Sequence, residues 1–463
     1  MMRFLLFLII WVLAFSDTSG INLSLGAGMS AKNLLVYMGA GWLLLQRALG
    51  PPVKVELQTI QICFVVLIAY AAVSMFIANG IIHYQGYDLF DSAIALKIAL
   101  IDSFVFFMVF FYGTRTIVDA RSLLKMLLFV VSIANLFTIA KARGIIDFGA
   151  PIMVVREDSV YYVSSRIDGV FGDANETATM IACLLPVYAS FILSAKGFRK
   201  LFWIACMTLS AVVMFMTVSR GALVGLLLGS LWAAYLCRRY LSLRVAIKWG
   251  SAFFAIAVVV ALIAGSTYLV TYIHRFTGVY LSSAADVSAG RSDIWFRALM
   301  AMMNSPVSLI TGFGWNTWSE NSIMGFFLAA HNHYLSLWFE LGLIGVVSFI
   351  VIFHQLVTTA LRTVAISDSP DRDLIIAFVF SFLILVIGIF FVLLWKPWTY
   401  LWPYIGIAMR YTVNVGSASR IDLDLQPPKT SLKPSGTSMQ PPGPQRRNNH
   451  YRPEGVSSKM APK

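Results

Sequence analysis

The sequence predicts an all-α polytopic membrane protein with about twelve transmembrane helices. Of its 463 residues, 59% are hydrophobic and only 12% are charged, and the mean hydropathy is +0.77. A soluble domain of this size would expose more apolar surface than water tolerates. Apolar runs long enough to cross a bilayer recur along the chain, as at 60–77, 249–270 and 374–394. These runs are continuous and do not alternate, which excludes a transmembrane β-barrel.

The first segment, MMRFLLFLIIWVLAFSDTSG, has two interpretations. Arg3, an apolar core and small residues follow one another as in a signal peptide, but they also fit a first spanning helix. We favour the helix, because another apolar run follows at once and the segment has no clear cleavage site. The orientation predicted for the rest of the chain is the same in both cases.

Basic residues cluster at alternate junctions between the predicted spans. Each cluster follows an even-numbered span, so all of them should lie on one side, which we expect to be the cytoplasm. The net charge of +13 is therefore spread over loops and the tail, and no nucleic-acid partner is expected. The junction residues are Arg47 and Lys54; Arg115, Arg121 and Lys125; Lys196, Arg199 and Lys200; Arg238, Arg239, Arg244 and Lys248; Arg362 and Arg372.

The same count of spans predicts the domain organisation. Residues 1–412 form a transmembrane domain, with long periplasmic loops at 142–176 and 274–330. Loops of this length in a compact fold are usually functional. Residues 413–463 are rich in Pro, Ser and Lys and are predicted to be a disordered cytoplasmic tail, whose basic residues could contact anionic lipid.

Three polar features fall on the predicted periplasmic side. Arg220 lies in the turn between spans seven and eight, Arg291 begins an amphipathic segment, and His331 opens span ten. Each also has a purely structural interpretation. Arg220 could snorkel to lipid phosphate, Arg291 could lie in the first turn of a surface helix, and His331 could be a helix cap or a loop anchor.

Together these residues point to a leaving diphosphate. Arginine guanidinium groups match phosphate oxygens and stabilise charge without a metal, and the sequence shows no metal-ligand cluster on this side. A histidine at a helix N-terminus would tend to be neutral and could take a proton from a hydroxyl. His333 and Glu340 are seven residues apart, share a helix face, and are expected to pair.

Aromatic side chains in the predicted outer loops would suit a sugar substrate, because sugars pack against aromatic rings. The same residues are equally consistent with a belt at the membrane interface. They are Tyr161, Tyr162, Trp295, Trp315 and Trp318.

At these residues the sequence resembles the O-antigen ligase and O-antigen polymerase superfamily of bacterial membrane glycosyltransferases. The family's histidine motif is His, then Asn, Ser or Gln, nine residues, then Gly-x-x-Gly, and His331 to Gly345 match it fully. The likeness covers residues 169–353. The other matching segments are Gly169-Val170-Phe171-Gly172-Asp173-Ala174-Asn175, Ser219-Arg220-Gly221, Gly290-Arg291 with Trp295, and Gly312-Phe313-Gly314.

The resemblance implies a C-type glycosyltransferase-like fold in the bacterial inner membrane, with an active site that faces the periplasm and uses no metal or cofactor. Its donor would be an oligosaccharide on a polyprenyl diphosphate such as undecaprenyl diphosphate. Arg220 and Arg291 would hold the diphosphate, and His331 would orient or deprotonate the acceptor hydroxyl, with inversion at the anomeric carbon. Asn332, Trp295 and Asn175 would bind substrate. The second histidine, His333, departs from the family pattern.

The acceptor stays open. Polymerisation of exopolysaccharide or O-antigen would use a glycan acceptor, whereas ligation in lipopolysaccharide would use the lipid A core. Polysaccharide export and chain-length proteins are candidate partners, in addition to membrane lipids. A rival function is a transporter or flippase, which needs ionisable residues or broken helices near mid-membrane, and Glu340 is its candidate residue. A noncatalytic assembly protein is the third alternative.

Overall fold

The protein is a helical, multi-pass membrane protein, seen here in a computed structural model. Among the described residues, seven helices are long and apolar enough to cross a membrane. Most of the predicted span at 249–270 and most of the predicted loop at 142–176 lie outside the described residues. The structure describes residues 1–18, 24–26, 28–50, 56–146, 167, 169, 173–241, 250, 273, 290–318, 323, 329–368, 370–394 and 400–424.

The first half of the chain packs mainly through large apolar side chains. Phe64 stacks on Phe104 and Phe107, so α3 and α5 share an aromatic contact. Single π-helical turns extend α3 at Ala78–Ile82 and join α4 to α5 at Lys97–Ile101. The elements are α1 (Met2–Thr18), β1 (Ser24–Gly26), β2 (Met29–Ser30), α2 (Ala31–Leu49), α3 (Gln58–Ile77), α4 (Leu89–Leu96), α5 (Asp102–Gly113) and α6 (Ile117–Ala142).

The second half surrounds one deeply buried helix, α7, which packs against α8, α9 and α13. Helix α12 packs against both α3 and α13 and so connects the two halves. The elements are α7 (Ala174–Ser194), α8 (Phe198–Met216), α9 (Arg220–Cys237), α10 (Arg291–Met303), α11 (Pro306–Thr311), α12 (His333–Ile366), α13 (Asp371–Gly388) and α14 (Leu401–Asp424).

Glycines bring α9 and α13 into backbone contact. Gly221, Gly225 and Gly229 are four residues apart and lie on one face of α9. A β-carbon at Gly225 would lie 3.1 Å from the Cα of Gly388, and one at Gly229 would lie 2.5 Å from the Cα of Ile384. Small residues permit this approach, as in many membrane helix pairs. The start of α9 is therefore held close to the end of α13.

Polar contacts join several basic junctions at one end of the bundle. Arg121 forms an ion pair with Asp371 and a 3.0 Å hydrogen bond to the Tyr411 hydroxyl. Arg410 forms an ion pair with Glu56. These contacts bring together the junctions before α3, α6 and α13, as expected if the basic junctions lie on one side of a membrane.

Two predicted boundaries differ from the structure. The apolar run at 374–394 was expected to be one span, but α13 ends at Gly388 and residues 389–394 leave the helix. Helix α14 continues through Asp424, twelve residues beyond the boundary predicted at 412. Past that boundary, Asn414 donates a 3.1 Å hydrogen bond to the carbonyl of Arg115. Residues 425–463, the rest of the predicted tail, lie outside the described residues.

Candidate functional site

Arg220 is the first residue of α9 and is partly buried. The hydroxyl of Ser219 caps the helix by accepting a 3.4 Å hydrogen bond from the backbone N–H of Ala222. Val218 has a φ of +50°, a left-handed conformation that β-branched residues rarely adopt. A β-carbon at Gly221 would lie 2.5 Å from the Cβ of Phe391. The Ser-Arg-Gly segment thus contains the helix cap at Ser219, the candidate Arg220, and Gly221, which lets Phe391 lie against the backbone.

Asn175 lies in the first turn of α7, next to this segment. The carboxylate of Asp173 caps α7 by accepting hydrogen bonds from the N–H groups of Asn175 (2.8 Å) and Glu176 (3.0 Å). The Asn175 side chain is 8% exposed, and its Oδ1 accepts a 2.9 Å hydrogen bond from the Ser219 hydroxyl. The sequence segments that contain Asn175 and Arg220 therefore meet, although 44 residues separate Asn175 from Ser219.

His331 lies directly before the cap of α12 and is partly buried. Its φ of +46° is uncommon for a residue with a side chain, and such strain concentrates at functional sites. Asn332 is the N-cap, and its Oδ1 accepts a 3.1 Å hydrogen bond from the N–H of Leu335. Asn332, which the sequence analysis expects to bind substrate, therefore also has a structural role as a helix cap.

The second histidine is fixed by the segment that follows α13. The His333 side chain is 1% exposed. Its backbone N–H donates to the carbonyl of Ile389 at 2.9 Å, and its Nδ1 accepts from the N–H of Leu394 at 3.2 Å. Glu340, its expected partner, instead accepts a 3.3 Å hydrogen bond from the N–H of Trp318. His333 and Glu340 each accept from a backbone amide, of Leu394 and Trp318 respectively, so each fixes a different segment against α12.

Arg291 begins α10, as predicted, after Gly290 at a φ of +78°. The buried face of this helix consists of Ile294, Ala298 and Met302. Leu299 lies off this face and is 38% exposed. Trp295, about one turn after Arg291, donates a 2.8 Å hydrogen bond from Nε1 to the carbonyl of Ala330, the residue before His331. Helix α10 is thereby tied to the His331 segment.

These contacts form a continuous path between the candidate segments. Asn175 binds Ser219, Gly221 touches Phe391, Ile389 binds His333, and Ala330 binds Trp295. The path gathers the N-terminal ends of α7, α9, α10 and α12. Helix N-termini carry partial positive charge and favour anions, and two of these ends begin with arginine. In the described ranges, no group of three or more His, Cys, Asp or Glu side chains could hold a metal ion.

A break in α12 explains the first glycine of the Gly-x-x-Gly segment. Gly342 has a φ of +57° and a ψ of −152°, a conformation essentially restricted to glycine. The break leaves carbonyl groups without helical partners, and the carbonyls of Phe339 and Glu340 accept from the N–H groups of Phe313 (2.7 Å) and Gly314 (2.9 Å). The Gly-x-Gly and Gly-x-x-Gly segments are thus two parts of one local structure.

Two of the predicted sugar-binding aromatics have a packing role instead. Trp315 and Trp318 are 2% and 5% exposed. The Trp315 Nε1 donates a 3.1 Å hydrogen bond to the carbonyl of Ser92, which anchors the loop to α4. Tyr161 and Tyr162 lie outside the described residues. Trp295 is partly buried and remains a candidate for a sugar contact.

Sequence reasoning missed the segment 389–394, which supports both His333 and Gly221. Its residues are apolar, so they were assigned to a continuous span. The signal that could have marked the end of this helix is Lys396-Pro397 a few residues later, because proline and charge commonly follow a helix end.

Residues 204–350 match the family model described as O-Antigen ligase. Over this segment the chain is similar to the O-antigen ligase family. The matched segment contains Arg220, Arg291, His331, Asn332 and the Gly-x-x-Gly segment, whereas Asn175 precedes it. The match confirms the resemblance to the O-antigen ligase and polymerase superfamily and supports an enzyme of surface polysaccharide assembly. No curated protein matches the chain.

Proposed function

We propose that the protein transfers a glycan from a polyprenyl diphosphate, such as undecaprenyl diphosphate, to an acceptor hydroxyl. The observation that carries this proposal is the contact path joining the segments of Asn175, Arg220, Arg291 and His331. Three of the basic junctions, those before α3, α6 and α13, meet at the other end of the helices, which supports a cytoplasmic end there and a periplasmic site here. A twelve-span fold in the bacterial inner membrane, with residues 274–330 in the periplasm, belongs to the same proposal.

In this mechanism Arg220 and Arg291 bind the diphosphate. The bond between the anomeric carbon and the diphosphate oxygen breaks, and the polyprenyl diphosphate leaves with the electron pair. Guanidinium groups stabilise the negative charge that develops on the leaving oxygens. The partial positive charge of the α9 and α10 N-termini adds to this effect. These groups can supply the charge that a metal ion supplies in other enzymes, so the proposed reaction is metal-independent.

His331 acts on the acceptor. A neutral imidazole takes the proton of the acceptor hydroxyl, while that oxygen attacks the anomeric carbon on the face opposite the leaving diphosphate. Attack from the opposite face inverts the configuration of the anomeric carbon. The position of His331 just before the α12 N-terminus disfavours the charged imidazolium and so favours the base form.

Three further residues are proposed to contact substrate. Asn332 uses its Oδ1 in the helix cap, which leaves its Nδ2 amide to donate to a sugar. Trp295 donates from its Nε1 to the carbonyl of Ala330, and the face of its ring can pack against a sugar. Asn175 adjoins the Arg220 segment through Ser219. The acceptor is either a growing glycan or a lipid A core, and export or chain-length proteins are the proposed partners.

The transporter alternative rests on the break in α12 and on Glu340. Broken helices in transporters present free backbone groups to an ion or a substrate. Here the carbonyls near the break accept from Phe313 and Gly314, and the Glu340 carboxylate accepts from Trp318. Because protein amides bind these groups, the break favours a structural role over a transport site.

The test is glycan transfer in proteoliposomes that contain a lipid-linked oligosaccharide donor and an acceptor. His331→Ala should lower the rate by about 10²–10⁴-fold, the usual contribution of a general base. Arg220→Lys and Arg291→Lys should also lower it strongly, since lysine lacks the bidentate geometry. Matched controls are His354→Ala on α12, Arg238→Lys directly after α9 and Arg297→Lys on α10, all exposed positions.

Rates near wild type in His331→Ala and both arginine variants would overturn the proposal. Movement of labelled glycan across the membrane without chemical change would favour the transporter. A purified protein that transfers nothing with the correct donor and acceptor would favour a noncatalytic assembly role.

A further inference from the structure

A cavity of about 760 Å³ lies between α2 and α5, remote from the candidate site. Helix α3 extends from the cavity toward the loop that contains Trp315. Near its start, Gln61 donates a 2.7 Å hydrogen bond to the hydroxyl of Tyr112, which lines the cavity. At its other end, Ser74 accepts a 3.1 Å hydrogen bond from the N–H of Trp315. The 20 residues of α3 span about 30 Å, so the cavity lies at the opposite end of the bundle.

The wall of this cavity is mainly apolar and faces outward. Leu44, Leu45 and Leu49 are 68%, 50% and 81% exposed. Phe104 and Met108 of α5 form part of the opposite wall. The opposite wall belongs to a helix long and apolar enough to cross a membrane, Leu89–Gly113, and exposed leucines beside such a helix are suited to contact lipid chains.

Two arginines mark one end of the cavity. Arg47 and Arg115 both line it and both are exposed. The Arg115 Nη2 donates a 3.1 Å hydrogen bond to the Oε1 of Gln46, which also lines the cavity. No Asp or Glu is present among the described residues that line it. An apolar groove that ends in two unopposed cations is complementary to a lipid with a negative headgroup.

The indole N–H of Trp42 favours lipids that carry a hydrogen-bond acceptor below the headgroup. The indole N–H of Trp42, another lining residue, is buried and has no hydrogen-bond acceptor in the described protein. Buried indole N–H groups usually have an acceptor. Trp42 precedes Arg47 by five residues, so along the helix it lies about 7.5 Å deeper. A glycerophospholipid carries ester carbonyls deeper than its phosphate, whereas a polyprenyl phosphate has none.

We propose that this groove binds a glycerophospholipid with an anionic headgroup. The phosphate lies between Arg47 and Arg115, the acyl chains follow α2 and α5, and an ester carbonyl accepts the Trp42 N–H after a small rotation of the indole. This site goes beyond the proposed function, because it lies at the other end of the bundle and takes no part in glycan transfer. Either proposal can fail without the other.

Native mass spectrometry of the delipidated full-length protein tests the site. The probes are phosphatidylglycerol, phosphatidylcholine with the same acyl chains, undecaprenyl phosphate and glycerol phosphate. Wild type should bind phosphatidylglycerol more tightly than phosphatidylcholine, and glycerol phosphate alone should not compete. The variant R47Q/R115Q should lose about fivefold in affinity per arginine, the usual worth of a basic residue at an anionic lipid surface. The control R238Q/R239Q removes the same charge after α9 and should bind like wild type.

Two further variants keep the test decisive if R47Q/R115Q does not fold. R47K/R115K should retain the preference for phosphatidylglycerol, and Trp42→Phe should weaken both phosphatidyl lipids equally. Equal binding of phosphatidylglycerol and phosphatidylcholine by wild type would overturn the proposal. Tighter binding of undecaprenyl phosphate, competition by free glycerol phosphate, or an equal loss in R238Q/R239Q would overturn it as well.

Discussion

Gly342 and Gly312 approach each other so closely that a β-carbon on either would lie 2.6 Å from the backbone nitrogen of the other. Both have positive φ, at +57° and +75°. Gly342→Ala and Gly312→Ala should each destabilise the protein by at least about 2 kcal/mol, because alanine meets both backbone strain and a clash. Thermal unfolding in detergent measures this loss.

The control for these variants is Gly41→Ala. Gly41 is an exposed glycine of α2, with no atom within 4 Å of an added β-carbon. Alanine should stabilise the helix there by up to about 1 kcal/mol. Unchanged melting in both Gly342→Ala and Gly312→Ala would contradict the close approach of the two motif segments.

The hydrogen bond between Ser219 and Asn175 should couple the two residues energetically. Ser219→Ala loses this bond together with the α9 cap and should cost about 1–2 kcal/mol. Asn175→Ala should cost less, and a double-mutant cycle should give a coupling energy of about 0.5–1.5 kcal/mol. Ser194→Ala, which removes only a bond to the carbonyl of Phe191, is the control. Strict additivity of Ser219→Ala and Asn175→Ala would show that the bond does not form.

Asn332→Asp should separate stability from transfer. Aspartate keeps the oxygen that caps α12 but lacks the amide donor proposed to contact substrate. Stability should stay within about 0.5 kcal/mol of wild type, whereas the transfer rate should fall about tenfold, the worth of one hydrogen bond to substrate. Asn332→Ala should lose both. A wild-type rate in Asn332→Asp would leave Asn332 with the capping role alone.

Trp295→Phe removes the N–H that binds Ala330 but keeps an aromatic ring. The transfer rate should fall about fivefold, since one neutral hydrogen bond no longer positions the His331 segment. Trp338→Phe is a close control, because its Nε1 makes an equal 2.8 Å bond to the carbonyl of Leu309. Equal effects of the two substitutions on transfer would show that the Trp295 bond serves stability alone.

Local patterns identified the helix starts well. The polar residue followed by an apolar run at Arg291 and at His331 marks the beginnings of α10 and α12 within two residues. Hydropathy also located the long helices, because bilayer crossing depends on the chain's own composition. These features rest on interactions between near neighbours in the sequence.

The segments that support His331 could not be predicted from local sequence patterns, because they depend on contacts between distant parts of the chain. The apolar residues at 389–394 are typical of a helix, and their contacts with His333 and Gly221, which lie far away in the sequence, hold them outside α13. Likewise, Gly342 breaks α12 because the 312–314 segment supplies replacement donors from a distant part of the chain. The burial of Trp315 and Trp318 depends on α4 and α12 in the same way.

The glycine contact between α9 and α13 limits the motions that are available next to Arg220. At Gly225 and Gly229 the backbone of α9 lies against the backbone of α13. A shift of one helix along the other would therefore break this contact, because no side chain there can rearrange to keep it. Arg220 and the 389–394 segment are therefore carried on one rigid body. If the proposed glycan donor binds beside Arg220, we expect α10 and the Ala330 residue that Trp295 holds to be displaced, and α9 and α13 to stay in place.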